Sequence, residues 1–232
     1  MQSVKHKIIS EKIWCFGLFV LPLDMINIGR IAHLLGIMSL IVLLIGCTSP
    51  NQQYDKSSLI SQLQQGDIIF RRGTGIVGHA VAAADRQGNY SHVGIVVACA
   101  DGFYVVHAVP HEHDYEGDYD RVKCERIDDF LNRYVNADVA LFRPKVEDGQ
   151  RRVAVETALR LYERGVPFDH DYDLSDTTRL YCTELVEYAY LTAGISLSEG
   201  RRTEVNLPIV AGRHIMPSDL TESTLLEHII NL

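Results

Sequence analysis

The chain has 232 residues, 47% of them hydrophobic and 22% charged, an ordinary globular composition long enough for one medium domain with a real core. Its formal charge of −8 is offset by no basic stripe, which argues on electrostatic grounds against nucleic acid as a partner. The acidity is spread along the chain rather than gathered in a tail, so most of it solvates the surface.

Residues 25–47 read MINIGRIAHLLGIMSLIVLLIGC: one basic residue, Arg30, then an apolar run, then Gly46 and Cys47. That order is expected of a bacterial lipoprotein signal. Leu44-Ile45-Gly46-Cys47 would be the lipobox, small Gly46 would admit the signal peptidase, and the Cys47 sulfur would accept a diacylglycerol. A transmembrane helix ending in cysteine is the competing reading, but the run over 37–45 is short for a span. Thr48, not an aspartate, follows Cys47, which resembles lipoproteins sorted to the outer membrane. The expected location is therefore the periplasmic face of that membrane, with the membrane as a partner through the lipid on Cys47. Residues 1–24 make the signal unusually long, so translation is expected to start at Met25; a second apolar segment over 13–23 is the alternative. The expected division is a signal region over 1–46, lipidated cysteine and polar tether over 47–58, and one folded domain over 59–232.

Of the five cysteines, Cys15 precedes the expected start and Cys47 is expected to carry the lipid. Cys99, Cys124 and Cys182 remain, and an odd number in an oxidising compartment leaves at least one free thiol. Cys99 and Cys124 lie on neighbouring strand-like stretches and either pair or are buried. Cys182 is the leftover.

Along the folded part, KSSLISQLQQ predicts a short helix and DIIFRR a strand after Gly66-Asp67. GIVGHAVAAADR has helical spacing, broken at RQGNY. SHVGIVVACADGFYVVHAVP reads as two apolar strands turning near Asp101-Gly102, a hairpin. HEHDYEGDYD is an acidic, histidine-bearing loop. RVKCERI and ADVALFRP read as further strands with DDFLNRY helical between them. DGQRRVAVETALRLYERG predicts an amphipathic helix, VPFDHDYDLSDTTRL an acidic loop, and YCTELVEYAYLTAG a second amphipathic helix stopped at Gly194. The stretch containing HIMPSDL is expected to be irregular. No internal repeat interrupts residues 54–232, and the fold class expected is α+β, a central antiparallel sheet with flanking helices.

Cys182 sits at a predicted helix start, where unpaired amides and the helix dipole favour a thiolate and could also hold an oxyanion. A buried cysteine packed on the sheet is the alternative. A nucleophilic thiol needs a base, and His92 opens a strand at the sheet rim. On that strand His92, Gly94 and Val96 share a face. The hairpin brings His107 across from the stretch that begins at His92, where its ring N–H could orient His92. A rival set, His107, His111, His113 and Asp114, contains metal-ligand residue types, but its spacing forces no tetrahedral convergence and the loop reads as a solvated lid. The acidic FDHDYDLSD loop lacks an EF-hand pattern.

The order GDIIF, YSHVGIVV, YVVHA, YCTELVEYAY, PSDL resembles the permuted papain-like amidases, the YiiX/YaeF group of the NlpC-like cysteine hydrolase superfamily, which are similar in turn to lecithin:retinol acyltransferase-like proteins. The match covers roughly residues 60–220, and its most specific parts are SHVGI followed by YCTELV. In ordinary papain-like enzymes the cysteine precedes the histidine; here the order is reversed, as in the permuted group. The resemblance implies a circularly permuted papain-like fold with Cys182 as nucleophile and His92 as general base. The third polar position falls on His107, where many members carry an acid and the acyltransferase-like relatives a histidine. Tyr181 would line the oxyanion site and Glu184 would be structural. The function implied is an envelope cysteine hydrolase, an amidase or peptidase or else an acyltransferase, acting on cell-wall peptide, protein amide or acyl-lipid substrates. No cofactor and no metal are expected. A non-catalytic envelope protein using the same cleft for binding, or a metal-dependent hydrolase, are the alternatives.

Overall fold

A computed structural model describes residues 56–133, 137–206 and 211–232. The expected start at Met25, the apolar signal and Cys47 lie outside the described residues. In chain order the elements are α1 (Lys56–Gln62), β1 (Ile68–Arg71), α2 (Ile76–Ala84), β2 (His92–Cys99), β3 (Gly102–Val109), β4 (Arg121–Arg126), α3 (Ile127–Asn132), β5 (Val139–Pro144), α4 (Asp148–Glu163), α5 (Cys182–Leu191), β6 (Thr203–Val205), β7 (Gly212–His214), α6 (Pro217–Thr221) and β8 (Leu226–Asn231).

Six strands form one sheet in the order β4-β3-β2-β1-β5-β8, every neighbouring pair antiparallel. Strand side chains alternate between two separately buried faces. Ile68 and Phe70 of β1, Val93, Ile95 and Val97 of β2, and Val106 and Ala108 of β3 join Ala154 and Ala158 of α4 and Leu185, Val186 and Ala189 of α5 in one core. The opposite parity, Ile69, Val96, Val105 and Leu141, packs with Leu59 of α1 and Ile127, Phe130 and Leu131 of α3 in the other. Burial on both faces explains why these strands read as nearly continuous apolar runs. The hairpin turns as its sequence implies: Cys99 pairs with Gly102, and Gly102 takes φ +136°.

The GD signature before β1 has a packing reason. Gly66 has φ +81°, and a Cβ there would lie 2.1 Å from Arg151 Cγ. Asp67 is fully buried and accepts two bonds from the Arg143 guanidinium of β5, at 2.9 and 2.8 Å, so the pair joins two central strands.

The stretch after α5, expected to be irregular, holds the β6–β7 hairpin, α6 and the edge strand β8, which pairs with β5 across a register shift at Leu141/Phe142. Alternation hides β8 because it is a half-exposed edge strand, its pattern partly polar and its pairing interrupted. Cys99 and Cys124, left as either paired or buried, are free thiols, the first exposed and the second half-buried.

Gly94 admits no side chain. A Cβ there would stand 2.4 Å from Val105 Cγ1, 3.0 Å from the Val106 carbonyl oxygen and 3.1 Å from His107 Cβ. Gly94→Ala is therefore expected to destabilise the fold by about 1–3 kcal/mol, read as a lower urea midpoint, since backbone and β3 side chains would both have to move.

Candidate active site

Cys182 is the first residue of α5. Tyr181 caps the helix in extended conformation, and its N–H donates to Glu184 Oε2 at 3.4 Å. Two bonds tie this helix start to the segment after β7: Thr183 Oγ1 donates to the Ile215 carbonyl at 2.6 Å, and the Ile215 N–H donates to the Tyr181 hydroxyl at 3.0 Å. Burial raises the Glu184 carboxyl to about 8 against the pull of the Tyr181 N–H.

The Cys182 sulfur departs from expectation. A helix start should lower a thiol, and the N–H groups of Thr183, Val93 and Cys182 itself do aim at the sulfur and favour the anion. Burial outweighs them and pushes the thiol up to about 11. The resting group is a thiol, not a thiolate.

His92 stands at the end of β2, where the β2–β3 ladder, which begins at Ile95↔Val106, does not extend. Its Nε2 is 2.8 Å from His107 Nδ1, with the rings edge to face. Phe130 of α3 lies against both rings. On the far side, His107 Nε2 is 3.1 Å from Glu125 Oε1 of β4. Both imidazoles are buried, and burial holds each below the usual histidine range; for His92 the nearby Arg71 guanidinium adds to the effect, and the fall is large. For Glu125, burial works upward, but His107 and Arg133 overcome it and hold the carboxyl at about 2.

Arg71, at the end of β1, is itself buried. Its Nη2 donates to Glu112 Oε1 at 2.6 Å and its Nη1 to the Phe130 carbonyl at 3.2 Å; Nη1 is also 3.8 Å from Glu125 Oε1, and the guanidinium stacks 4.3 Å from the Phe130 ring. Arg133 reaches Glu112 Oε2 at 2.9 Å and also pairs with Glu125. Sequence reading missed all four of these charged groups. Glu125 pairs in register with Val105, diagonal to His107, a pairing set by the β3–β4 register, which no short turn fixes in the sequence.

Cys182, Tyr181 and His92 border one cavity of ≈500 Å³. Its remaining walls are mostly apolar, among them Ile76 and Val81 of α2, Ala108, Phe168, Ile215 and Met216.

The rival metal set does not converge. His107 faces His92 and Glu125, His113 Nε2 meets Asp120 at 2.9 Å, His111 donates its backbone N–H to Asp120, and Asp114 pairs with Lys123. In the other acidic loop, Asp169 accepts the N–H groups of Asp171 and Asp173. Among the described residues, His107, Glu112 and Glu125 bring ligand-type atoms within 4.8 Å of one another. Arg71 and Arg133 already occupy those carboxylates, so the donor set does not fit a metal cation as it stands.

Residues 62–207 match the family described as permuted papain-like amidase enzyme, YaeF/YiiX, C92 family. Among solved structures, the chain is similar to one described as the metalloprotein yiiX from Escherichia coli O157:H7, at 21% identity and TM-score 0.60, covering 73% of this chain and 97% of that chain. No curated protein matches.

The raised thiol makes a measurable statement. With iodoacetamide at pH 8 and peptide mass spectrometry, exposed Cys99 is expected to be alkylated well before Cys182, and the Cys182 rate to keep climbing as pH approaches 11. Fastest labelling at Cys182 would contradict a protonated resting thiol.

Proposed function

This chain belongs to the permuted papain-like amidase family, and on that premise we propose that it is a cysteine-dependent hydrolase whose nucleophile is Cys182. The observation that carries the reading is the meeting of Cys182 and His92 on one cavity, with three backbone N–H groups aimed at the sulfur. His92 has its Nε2 engaged by His107, so Nδ1 is the nitrogen available as base. Because thiol and imidazole both rest neutral, proton transfer accompanies attack. The S–H proton passes to His92 as sulfur bonds to the substrate carbonyl carbon, and the carbonyl oxygen becomes an oxyanion. The amides at the start of α5, with Tyr181 beside them, stabilise that charge. The intermediate collapses with return of the proton from His92 to the departing nitrogen or oxygen, leaving a thioester. Water, or an amine or alcohol acceptor, then releases the acyl group and restores the thiol.

The apolar walls favour a substrate whose acyl part is itself apolar, and about 300–1,000 Å³ is the usual range for a site holding a small organic ligand. Amides and esters of such acids, in lipids or acylated peptides, suit it better than highly polar stems. A lipid on Cys47 and a tether would hold the domain at the bacterial envelope, on the periplasmic face of the outer membrane, where acyl lipids and wall peptides are both within reach. No helix among the described residues is long and apolar enough to cross a membrane.

With p-nitrophenyl esters as probes, Cys182→Ala and His92→Ala are each expected to lose on the order of 10²-fold or more in kcat/KM, while EDTA leaves the wild type unchanged. Loss to EDTA with retention in Cys182→Ser would instead mark a metal-dependent hydrolase, and a wild type with no turnover a binding protein. Intact mass spectrometry of the trapped acyl-enzyme identifies the group transferred. The anchor has its own test: Cys47→Ala is expected to abolish palmitate labelling and release the protein from the membrane fraction.

A further inference from the structure

A neutral imidazole carries its proton on one of two nitrogens, and only one arrangement of the His92–His107 pair leaves a lone pair on His92 Nδ1. We propose that Glu125 is the positioning residue that selects this arrangement. The inference rests on the reading of Cys182 and His92 as nucleophile and base.

The selection follows from what each atom can do. Glu125 is ionised and offers only lone pairs. Its Oε1 lies 3.1 Å from His107 Nε2, with the ring N–H angled off the line between them. An imidazole lone pair at that distance from an anionic oxygen would be repelled, so Nε2 of His107 carries the proton. His107 Nδ1 is then bare and accepts. Its neighbour at 2.8 Å, His92 Nε2, must donate, and His92 is left with an unprotonated Nδ1. A histidine in the third position cannot do this alone, because the pair has two orientations of similar hydrogen bonding. A carboxylate one strand further along, on β4, breaks the tie.

Glu125 also neutralises Arg71 and Arg133, so the test must separate positioning from charge balance. Nitrogen-15 NMR of labelled imidazoles reports which nitrogen is protonated, with His92 assigned through His92→Gln. In the wild type both histidines are expected as Nε2–H forms. In Glu125→Gln, whose amide can donate as well as accept, His92 is expected to populate the Nδ1–H form. Turnover of p-nitrophenyl butyrate is expected to fall about 10-fold in kcat with KM within about twofold. Glu125→Ala is expected to lose on the order of 10²-fold; should it not fold, the glutamine variant decides alone. An unchanged His92 tautomer with kcat within twofold in Glu125→Gln would overturn the proposal and leave Glu125 a charge-balancing residue. If instead Cys182→Ala hydrolyses the ester like wild type, the nucleophile reading fails, and the NMR result still decides the role of Glu125.

Discussion

The buried guanidinium of Arg71 is the constraint on which the histidine end of the sheet depends. A cation taken out of water costs several kcal/mol unless counter-charge and hydrogen bonds surround it. Glu112 and Glu125 supply the charge, the Phe130 carbonyl and ring take the remaining faces, and Arg133 closes the cluster from outside. The partners come from β1, the loop after β3, β4 and the end of α3, so one electrostatic cluster pins three strands and a helix around His92 and His107. For His92, desolvation and the two nearby guanidiniums make a further positive charge unfavourable; for His107, desolvation and Arg71 prevail over the opposing pull of Glu125 and Glu112.

Cysteine and histidine reach each other from different layers. The helix that carries Cys182 packs on the α4 side of the sheet, whereas His92, Gly94 and Val96 belong to the parity that packs toward α3. They meet only where β2 runs beyond its ladder with β3, and where the Val93 N–H is aimed at the sulfur. Such a junction depends on which elements end at the sheet rim and not on the order in which the chain visits them. That is how His92 and Cys182, ninety residues apart in the chain, come to border one cavity.

The electrostatics of the cavity describe a site that waits uncharged. A thiol held at about 11, lining the same cavity as a neutral imidazole, offers little thiolate at neutral pH, and apolar walls further disfavour separated charges. The directed amides matter once negative charge develops, since in a water-poor site each is worth more than at the surface.

The apolar strands, the hairpin at residues 100–101, the amphipathic helices α4 and α5, and the placement of Cys182 at a helix start were all legible, because each follows from a local apolar run, a local period or a turn chemistry. The juxtaposition of His92 and His107 was legible too, since a short hairpin fixes register. Glu125, Glu112, Arg71 and Arg133 were not, because their meeting requires β4 in register with β3 and a loop folded back over β1. Nor was the half-exposed edge strand β8, whose pattern is partly polar. The sequence by itself determined the family order, the antiparallel sheet with its flanking helices, and the placing of a cysteine at a helix start and two histidines on one hairpin. Only the tertiary structure decided their protonation: local position predicted a lowered thiol, and enclosure raised it, because desolvation depends on everything packed around a group and not on its neighbours in the chain.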